Sequence, residues 1–289
     1  MHFESVNPAT GERFAEYAHA SPPEIEAQLQ SAHEAHLEWR NVSVEARTDP
    51  LRTLARLLRE QKELHGELMT REMGKPITQA IAEVEKCALL CEYYADIASS
   101  ALAPVPVETD ASTSYWTYRP LGVVLGIMPW NFPYWQVIRF ATPALTAGNA
   151  VLLKHAPNVP GCAFSIERLL CEAGYPEGLF VQLRLDVENT GELIDDARIQ
   201  GVSLTGSVRA GRAVAARAGA AIKKCVLELG GSDPSIVLAD ADLDSAAASC
   251  ATGRFINSGQ SCVAAKRFVV VDAVREAFEE KLLRAMDAW

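Results

Sequence analysis

Apolar positions Ile25, Leu29, Ala32 and Trp39 recur at near-helical spacing after Ser21 and Pro22, with acidic residues between them, and this pattern predicts a capped helix. A second apolar set, Leu51, Leu54, Leu57, Leu58, Leu64 and Leu68, begins after Asp49 and Pro50 and runs to Gly74 and Pro76, predicting one helix between those breakers. A third helix is expected over residues 78–101. The rhythm then changes. VETDASTSYWTYRP, residues 107–120, alternates and carries β-branched and aromatic side chains, which predicts an extended hairpin or edge arm.

From Gly122 onward the short apolar runs VVLGIM, AVLLK, LFVQLR, GVSLT and CVLEL alternate with helix-like segments, their starts about 20 to 30 residues apart, as βαβ units require. The expected fold class is α/β, with a doubly wound, mostly parallel sheet. SIVLA, residues 235–239, and RFVVV, residues 267–271, follow Gly230 and Gly231 and begin another sheet, which puts a domain hinge at the glycines. RFVVV is expected to lack the parallel neighbours it needs. Val274, Phe278, Leu282 and Met286 then line one face of a last helix after Asp272, and no glycine stop follows it.

The 289 residues carry 27 Lys plus Arg against 37 Asp plus Glu, a net charge of −10, with 49% hydrophobic and 22% charged residues. The balance is that of a globular protein, and its sign opposes nucleic acid or anionic lipid as a partner. The longest strongly apolar run, LGVVLGIMPW at residues 121–130, is far short of the about 20 residues that cross a bilayer, so no membrane partner is expected. The N-terminus shows no basic segment followed by an apolar run, and the seven cysteines lack framework spacing. A cytoplasmic, reducing setting with free thiols is the expectation.

Several residues suggest chemistry. Cys262 lies in NSGQSCVAAKR among small residues just before a predicted strand, a setting for an accessible thiol or for a small buried hydrophobe. Cys87 and Cys91 stand four apart on a predicted helix, but no His or acid completes a ligand set. The six histidines form no cluster, His33 and His36 are read as a solvated helix face, and no metal is assigned. Glu228, in VLELGGSDP, ends an apolar run; it is expected to be partly desolvated, with its carboxyl raised toward the range of a general base, or else paired with Lys223 or Lys224. Asn131, in IMPWNFPYW, follows a strand end where ligands of doubly wound sheets collect, and its amide can donate to a developing oxyanion or simply make a turn. GSVRAG, residues 206–211, links a strand to a helix whose amides can receive a phosphate, but it lacks the Lys and hydroxyl of a P-loop.

Taken in order, NPATGE, IMPWNFPYW, AGNAVLLKHAPNVP, LTGSVRAGR, LELGG and GQSC resemble the aldehyde dehydrogenase superfamily, and GIMPWNFPYWQVIRF with LLKHAPNVPG is most similar to its NAD(P)-dependent succinate-semialdehyde dehydrogenases. The resemblance implies a Rossmann-like cofactor-binding domain over residues 1–229, with a helical N-terminal part and an oligomerisation hairpin near 107–120. It implies that residues 230–289 are the first portion of an incomplete α/β catalytic domain. Cys262 becomes the nucleophile, Asn131 with the Cys262 backbone N–H the oxyanion donors, and Glu228 the base that activates water. Trp130, Lys154, Pro157, Gly206, Ser207 and Leu229 become cofactor-binding positions for NAD or NADP, and Arg139 the group that holds the far carboxylate of the aldehyde. Relatives often carry Glu where Pro157 stands, a second arginine where Ile256 stands, and a longer residue where Ser232 stands. A glycine-rich segment after the third strand is replaced by QLRLDVENTG. The implied function is oxidation of an aldehyde, succinate semialdehyde above others, by a homodimer or homotetramer. Two alternatives stay open: a dinucleotide-binding remnant without chemistry, and a cysteine hydrolase.

Overall fold

The structure, a computed structural model, describes residues 2–289. Its N-terminal ladder pairs β1 (His2–Val6) with antiparallel β2 (Arg13–Ala18). α1 (Pro22–Trp39) starts at Ser21, whose N–H and hydroxyl both donate to Glu24 Oε2 at 2.7 and 2.6 Å. It buries Leu29, Ala32 and Trp39, and it also buries His36, which corrects the reading of that residue as solvated. The His36 Nδ1–H donates to Gly148 O at 3.0 Å, and burial lowers the ring's pKa. His36 falls in step with the apolar stripe, and the carbonyl it meets satisfies it there.

The leucine-rich stretch forms two helices, not one: α2 (Val44–Glu60) and α3 (Lys62–Met73). Ser43, whose Oγ accepts from Ala46 N at 3.2 Å, starts α2 before Pro50, which lies inside the helix. A proline there forfeits one helical hydrogen bond. Packing overrides that cost, since Arg47, Thr48, Pro50 and Leu51 are all buried. α3 ends at Gly74, which takes φ +77° and donates to Thr70 O at 3.0 Å, a left-handed cap that suits glycine. α4 (Ile77–Ala101) presents Ala80, Val84, Cys87, Ala88, Cys91, Ala95 and Ala98 to the core. Burial raises both the Cys87 and Cys91 thiols, so this pair packs as small apolar groups.

The expected arm is shorter than its sequence pattern. β3 (Val105–Pro106) pairs with antiparallel β4 (Tyr115–Trp116), and Tyr115, Trp116 and Tyr118 are exposed. The main sheet follows as an alternation of β5 (Val123–Ile127), α5 (Trp135–Thr146), β6 (Ala150–Lys154), α6 (Pro160–Glu172), β7 (Phe180–Gln182), α7 (Val187–Asp195), β8 (Ile199–Gly206), α8 (Val208–Ala220) and β9 (Lys224–Leu229). Its strand order is β7-β6-β5-β8-β9, and β5 pairs in parallel with both β6 and β8. The winding therefore reverses between β5 and β8, and crevices open at the carboxyl ends of the strands there. Val123, Leu125 and residues 150–153 are buried beneath helices, as strands of a sheet covered on both faces must be. Asn149 pins the entry to β5: its Oδ1 accepts from Leu121 N at 2.7 Å and Gly122 N at 3.2 Å, while its Nδ2 donates to Ala144 O at 3.0 Å.

The chain divides into compact units at Glu228 and Leu229. In the second, β10 (Pro234–Val237) pairs in parallel with β11 (Arg267–Val270), and α9 (Leu243–Phe255) connects them. RFVVV thus has a parallel neighbour, contrary to the expectation from sequence; SIVLA supplies it through a βαβ unit. α10 (Arg275–Asp287) completes a small core in which Phe278 packs with Val237, Ala247 and Cys250.

Candidate active site at the carboxyl edge of the sheet

Three strand ends of the first unit carry Trp130 and Asn131, Lys154 and Pro157, and Gly206 and Ser207. β5 leads into residues 128–134, where Trp130 is exposed and Asn131 half-buried. Beneath this loop lies His155, buried directly after β6. Its Nε2–H donates to Pro133 O at 2.9 Å, while Nδ1 accepts from Ala156 N at 2.9 Å and lies 3.3 Å from Met128 O. Burial holds the His155 pKa down at about 4, so the ring is neutral near pH 7 and this tautomer fits its partners. Sequence reasoning missed His155 because it sought histidines as ligands; its position beside Lys154 at a strand end was the available signal.

Lys154 closes β6. Burial lowers the pKa of its ammonium, Asp186 opposes that effect, and no described residue hydrogen-bonds or ion-pairs with it. Pro157 is exposed three residues on. Gly206 closes β8, and Ser207 caps the 13-residue α8, its Oγ accepting from Ala210 N at 3.2 Å. A half-buried cation without a direct partner and a glycine-led helix N-terminus, both at the carboxyl edge of a parallel sheet, fit a phosphorylated, ribose-bearing ligand. These donors suit a dinucleotide.

Arg139, on α5, and Glu228, on β9, meet along a groove of about 440 Å³ that Phe140, Thr205, Lys224 and Val226 also line. Arg139 Nη2 stands 3.8 Å from Glu228 Oε2. The Glu228 side chain is 53% exposed, so the expected desolvation is absent in this unit: β9 is an edge strand and leaves its carboxylate toward water. Its ion partner is Arg139 and neither Lys223 nor Lys224, and Lys223 donates instead to Ile194 O at 2.6 Å and Asp196 O at 2.5 Å. Leu229, the last residue of β9, is half-buried.

The second unit holds Cys262, half-buried on the segment between α9 and β11. Asn257, Ser258 and Gly259 precede it in successive left-handed conformations, φ 57°, 53° and 74°. Two of these are not glycine, and each such residue costs about 1–2 kcal/mol. Buried Asn257 stabilises the turn by donating to Gln260 O at 3.2 Å. Lys266 Nζ donates to Gly231 O at 2.6 Å and to Cys262 O at 3.2 Å, so one ammonium ties the glycine pair to the backbone of the thiol. Among the described residues no group of three or more His, Cys, Asp or Glu is placed to hold a metal, and no helix is long and apolar enough to cross a membrane.

The chain is 48% identical over 287 residues to the succinate semialdehyde dehydrogenase (NAD(P)+) Sad of Escherichia coli strain K12, covering 99% of this chain and 62% of that protein. It is 50% identical over 288 residues to a probable succinate-semialdehyde dehydrogenase (NADP(+)) of Synechocystis, covering 100% and 63%. Among solved structures, Gox0499 superimposes with a TM-score of 0.98 at 42% identity, covering 100% of this chain and 64% of that one. The succinic semialdehyde dehydrogenase of Streptococcus pyogenes in complex with NADP+ does so with a TM-score of 0.96 at 37% identity, covering 99% and 63%. The chain spans less than two thirds of the length of each of these relatives. The sequence pattern of the aldehyde dehydrogenase family matches residues 1–289 throughout, and the chain belongs to that family.

Proposed function

We propose that the protein oxidises an aldehyde to its carboxylic acid with NAD or NADP, and that succinate semialdehyde is the substrate. The observation that carries this reading is the common position of Asn131, Lys154 and Ser207, on the segments that end or follow β5, β6 and β8 at one edge of the sheet. Lys154 would donate to the adenosine ribose or its 2′-phosphate, Gly206 and Ser207 would meet the pyrophosphate, and Trp130 and Leu229 would wall the pocket. Pro157 neither repels a 2′-phosphate nor grips ribose hydroxyls, which favours use of both cofactors. The names of the Escherichia coli and Synechocystis relatives, one NAD(P)+ and one NADP(+), support the same breadth.

In this reading the Cys262 thiolate attacks the aldehyde carbon, a C–S bond forms, and the carbonyl electron pair moves to oxygen. The Asn131 amide and the Cys262 N–H donate to that oxyanion, and losing one such donor costs about 3 kcal/mol of barrier. When bound, the nicotinamide supplies a two-electron acceptor for the carbon-bound hydride. Water then attacks the Cys262 thioester, Glu228 accepts its proton, and the C–S bond breaks so that the acid leaves and the thiolate is restored. Arg139 holds the far carboxylate of the substrate. A homodimer or homotetramer joined through the exposed arm at Tyr115 and Trp116, in the cytoplasm, completes the proposal.

The 3.8 Å contact between Arg139 and Glu228 favours a second role for Arg139, orientation of the base. Arg139→Met separates the two: a raised KM for succinate semialdehyde but not for butanal marks the carboxylate clamp, whereas slower turnover of both aldehydes marks orientation. The central test adds succinate semialdehyde and NAD or NADP to the full chain and follows reduced nicotinamide absorbance. Cys262→Ala should abolish the signal, and Glu228→Gln should leave a single burst of hydride transfer without steady turnover. No signal with either cofactor overturns the proposal.

A further inference from the structure

The loop that carries Asn131 is anchored from below by groups the reaction does not touch. Glu83, on α4, and Lys75, in the turn before it, form an ion pair whose side chains are 2% and 1% exposed. Both Glu83 carboxylate oxygens are in use. Oε1 accepts from Tyr134 N at 2.9 Å and from Trp135 N at 2.8 Å, the first amides of α5, and Oε2 accepts from Lys75 Nζ. The Lys75 ammonium also lies 4.0 Å from the centroid of the Phe132 ring, the residue directly after Asn131. On the neighbouring position His155 Nε2–H holds Pro133 O. Phe132, Pro133, Tyr134 and Trp135 are therefore each fixed by Lys75, Glu83 or His155.

A fully buried ion pair adds little net stability over a well-packed apolar pair of the same volume. What it does add is direction: two N–H groups, one ammonium and one ring can meet a single carboxylate–lysine unit in few arrangements. Those arrangements fix the chain one to four residues beyond the half-buried Asn131.

We propose that the buried Lys75–Glu83 pair, together with His155, is a positioning device that sets where the Asn131 amide stands toward the developing oxyanion. The proposal rests on the oxyanion role given to Asn131 above. Lys75, Glu83 and His155 are positioning residues, since all three are buried and act through Phe132, Pro133, Tyr134 and Trp135.

A double-mutant cycle in the full chain tests it. Asn131→Ala alone should lower kcat by about 10²- to 10³-fold. Glu83→Gln keeps an amide oxygen for the two backbone N–H groups but removes the counter-charge of Lys75. It should lower kcat by about 10- to 100-fold with KM for the aldehyde and Kd for NADP nearly unchanged, the cost of a displaced donor. In the Asn131→Ala background the same change should cost less than about twofold, because the donor it positions is gone. A second cycle with His155→Ala, which acts on Pro133 and leaves the ion pair intact, should show the same loss of effect and stands in if Glu83→Gln does not fold. Equal losses in the two backgrounds overturn the positioning role. An unchanged kcat in Asn131→Ala overturns instead the oxyanion reading on which it depends, so the two failures are distinct.

Discussion

His155 links the stability of the fold to pH in a way that can be calculated. The folded ring is held at about 4 by burial, with the Lys154 charge adding to that effect and the Pro133 and Met128 carbonyls opposing it. An unfolded histidine titrates near about 6.5. Between these values the unfolded chain takes up a proton that the folded chain refuses, so stability falls as pH falls. Above about 6.5 the contribution is fully present; at pH 5 about 2 kcal/mol of it is lost, and at pH 4 about 3 kcal/mol. His155→Gln keeps an N–H for the Pro133 carbonyl and removes the titration. Urea unfolding of both proteins at half-unit steps from pH 7.5 to 4 should show the original protein losing about 2 kcal/mol more than the variant by pH 5. His65, whose ring is also held at about 4 by burial, titrates in both proteins and cancels in the difference. Parallel curves across this range would mean that the His155 ring is not neutral and enclosed beneath the Asn131 loop, and the argument for its tautomer would fail.

Three further changes probe the sheet and its edge. A Cβ on Gly126, in the middle of β5, would stand 2.4 Å from Phe140 Cε1 and 2.8 Å from its Cδ1. Gly126→Ala should therefore destabilise by about 1–3 kcal/mol in urea unfolding, and adding Phe140→Leu should restore part of that. Asn149→Ala strips two N–H groups of their acceptor and one carbonyl of its donor at the entry to β5. It should cost at least about 2 kcal/mol and lower Tm, while Asn149→Asp, which keeps the acceptor, recovers more than half. Lys154→Met removes an ammonium that burial already disfavours. Tm should hold or rise, while the Kd for NADPH by fluorescence titration rises at least about tenfold; an unchanged Kd removes Lys154 from the cofactor site.

The alternation of apolar runs with helical segments made the sheet legible because each strand of a parallel sheet is buried on both faces and reads as a continuous run. VVLGIM and AVLLK became β5 and β6, paired as neighbours. Helix starts were less legible. Pro50 reads as a beginning because proline is usual in a first turn, yet Ser43 supplied the cap, and Thr48 Oγ1 donates to Glu45 O at 2.7 Å in the turn before the proline. The exposure of Glu228 was also out of reach, since an acid ending an apolar run is enclosed in a central strand and open in an edge strand. Only the strand order, with β9 outermost, decides between these.

The residues that support the site escaped for a different reason, and the sequence did carry a trace of them. Asn131, Lys154 and Ser207 each sit in a contiguous motif that follows an apolar run and can be read locally, whereas Glu83 sits in no such motif and meets Tyr134 and Trp135 only across 51 and 52 positions. Its own neighbourhood, IAEVEKC, holds two acids that composition treats alike. Periodicity does not. Glu83 falls on the face of α4 shared by Ala80, Val84 and Cys87 and is buried, while Glu85 falls off it and pairs at the surface with Lys62 at 2.7 Å. The same holds for Glu72, between buried Met69 and Met73 on α3, whose carboxylate accepts from Gly161 N at 2.8 Å and Cys162 N at 2.9 Å at the start of α6. It holds too for His36 within the stripe of Leu29, Ala32 and Trp39. Each of these three ionisable residues in register with an apolar stripe finds its partner on another element, which offsets the cost of burying a polar group. In this chain the partners of the two acids are the first amides of α5 and α6, where the helix dipole adds to the hydrogen bonds. The device that holds the Asn131 loop is thus one of a pair, and what distinguishes Glu83 from Glu72 is the lysine beside it and the loop above it.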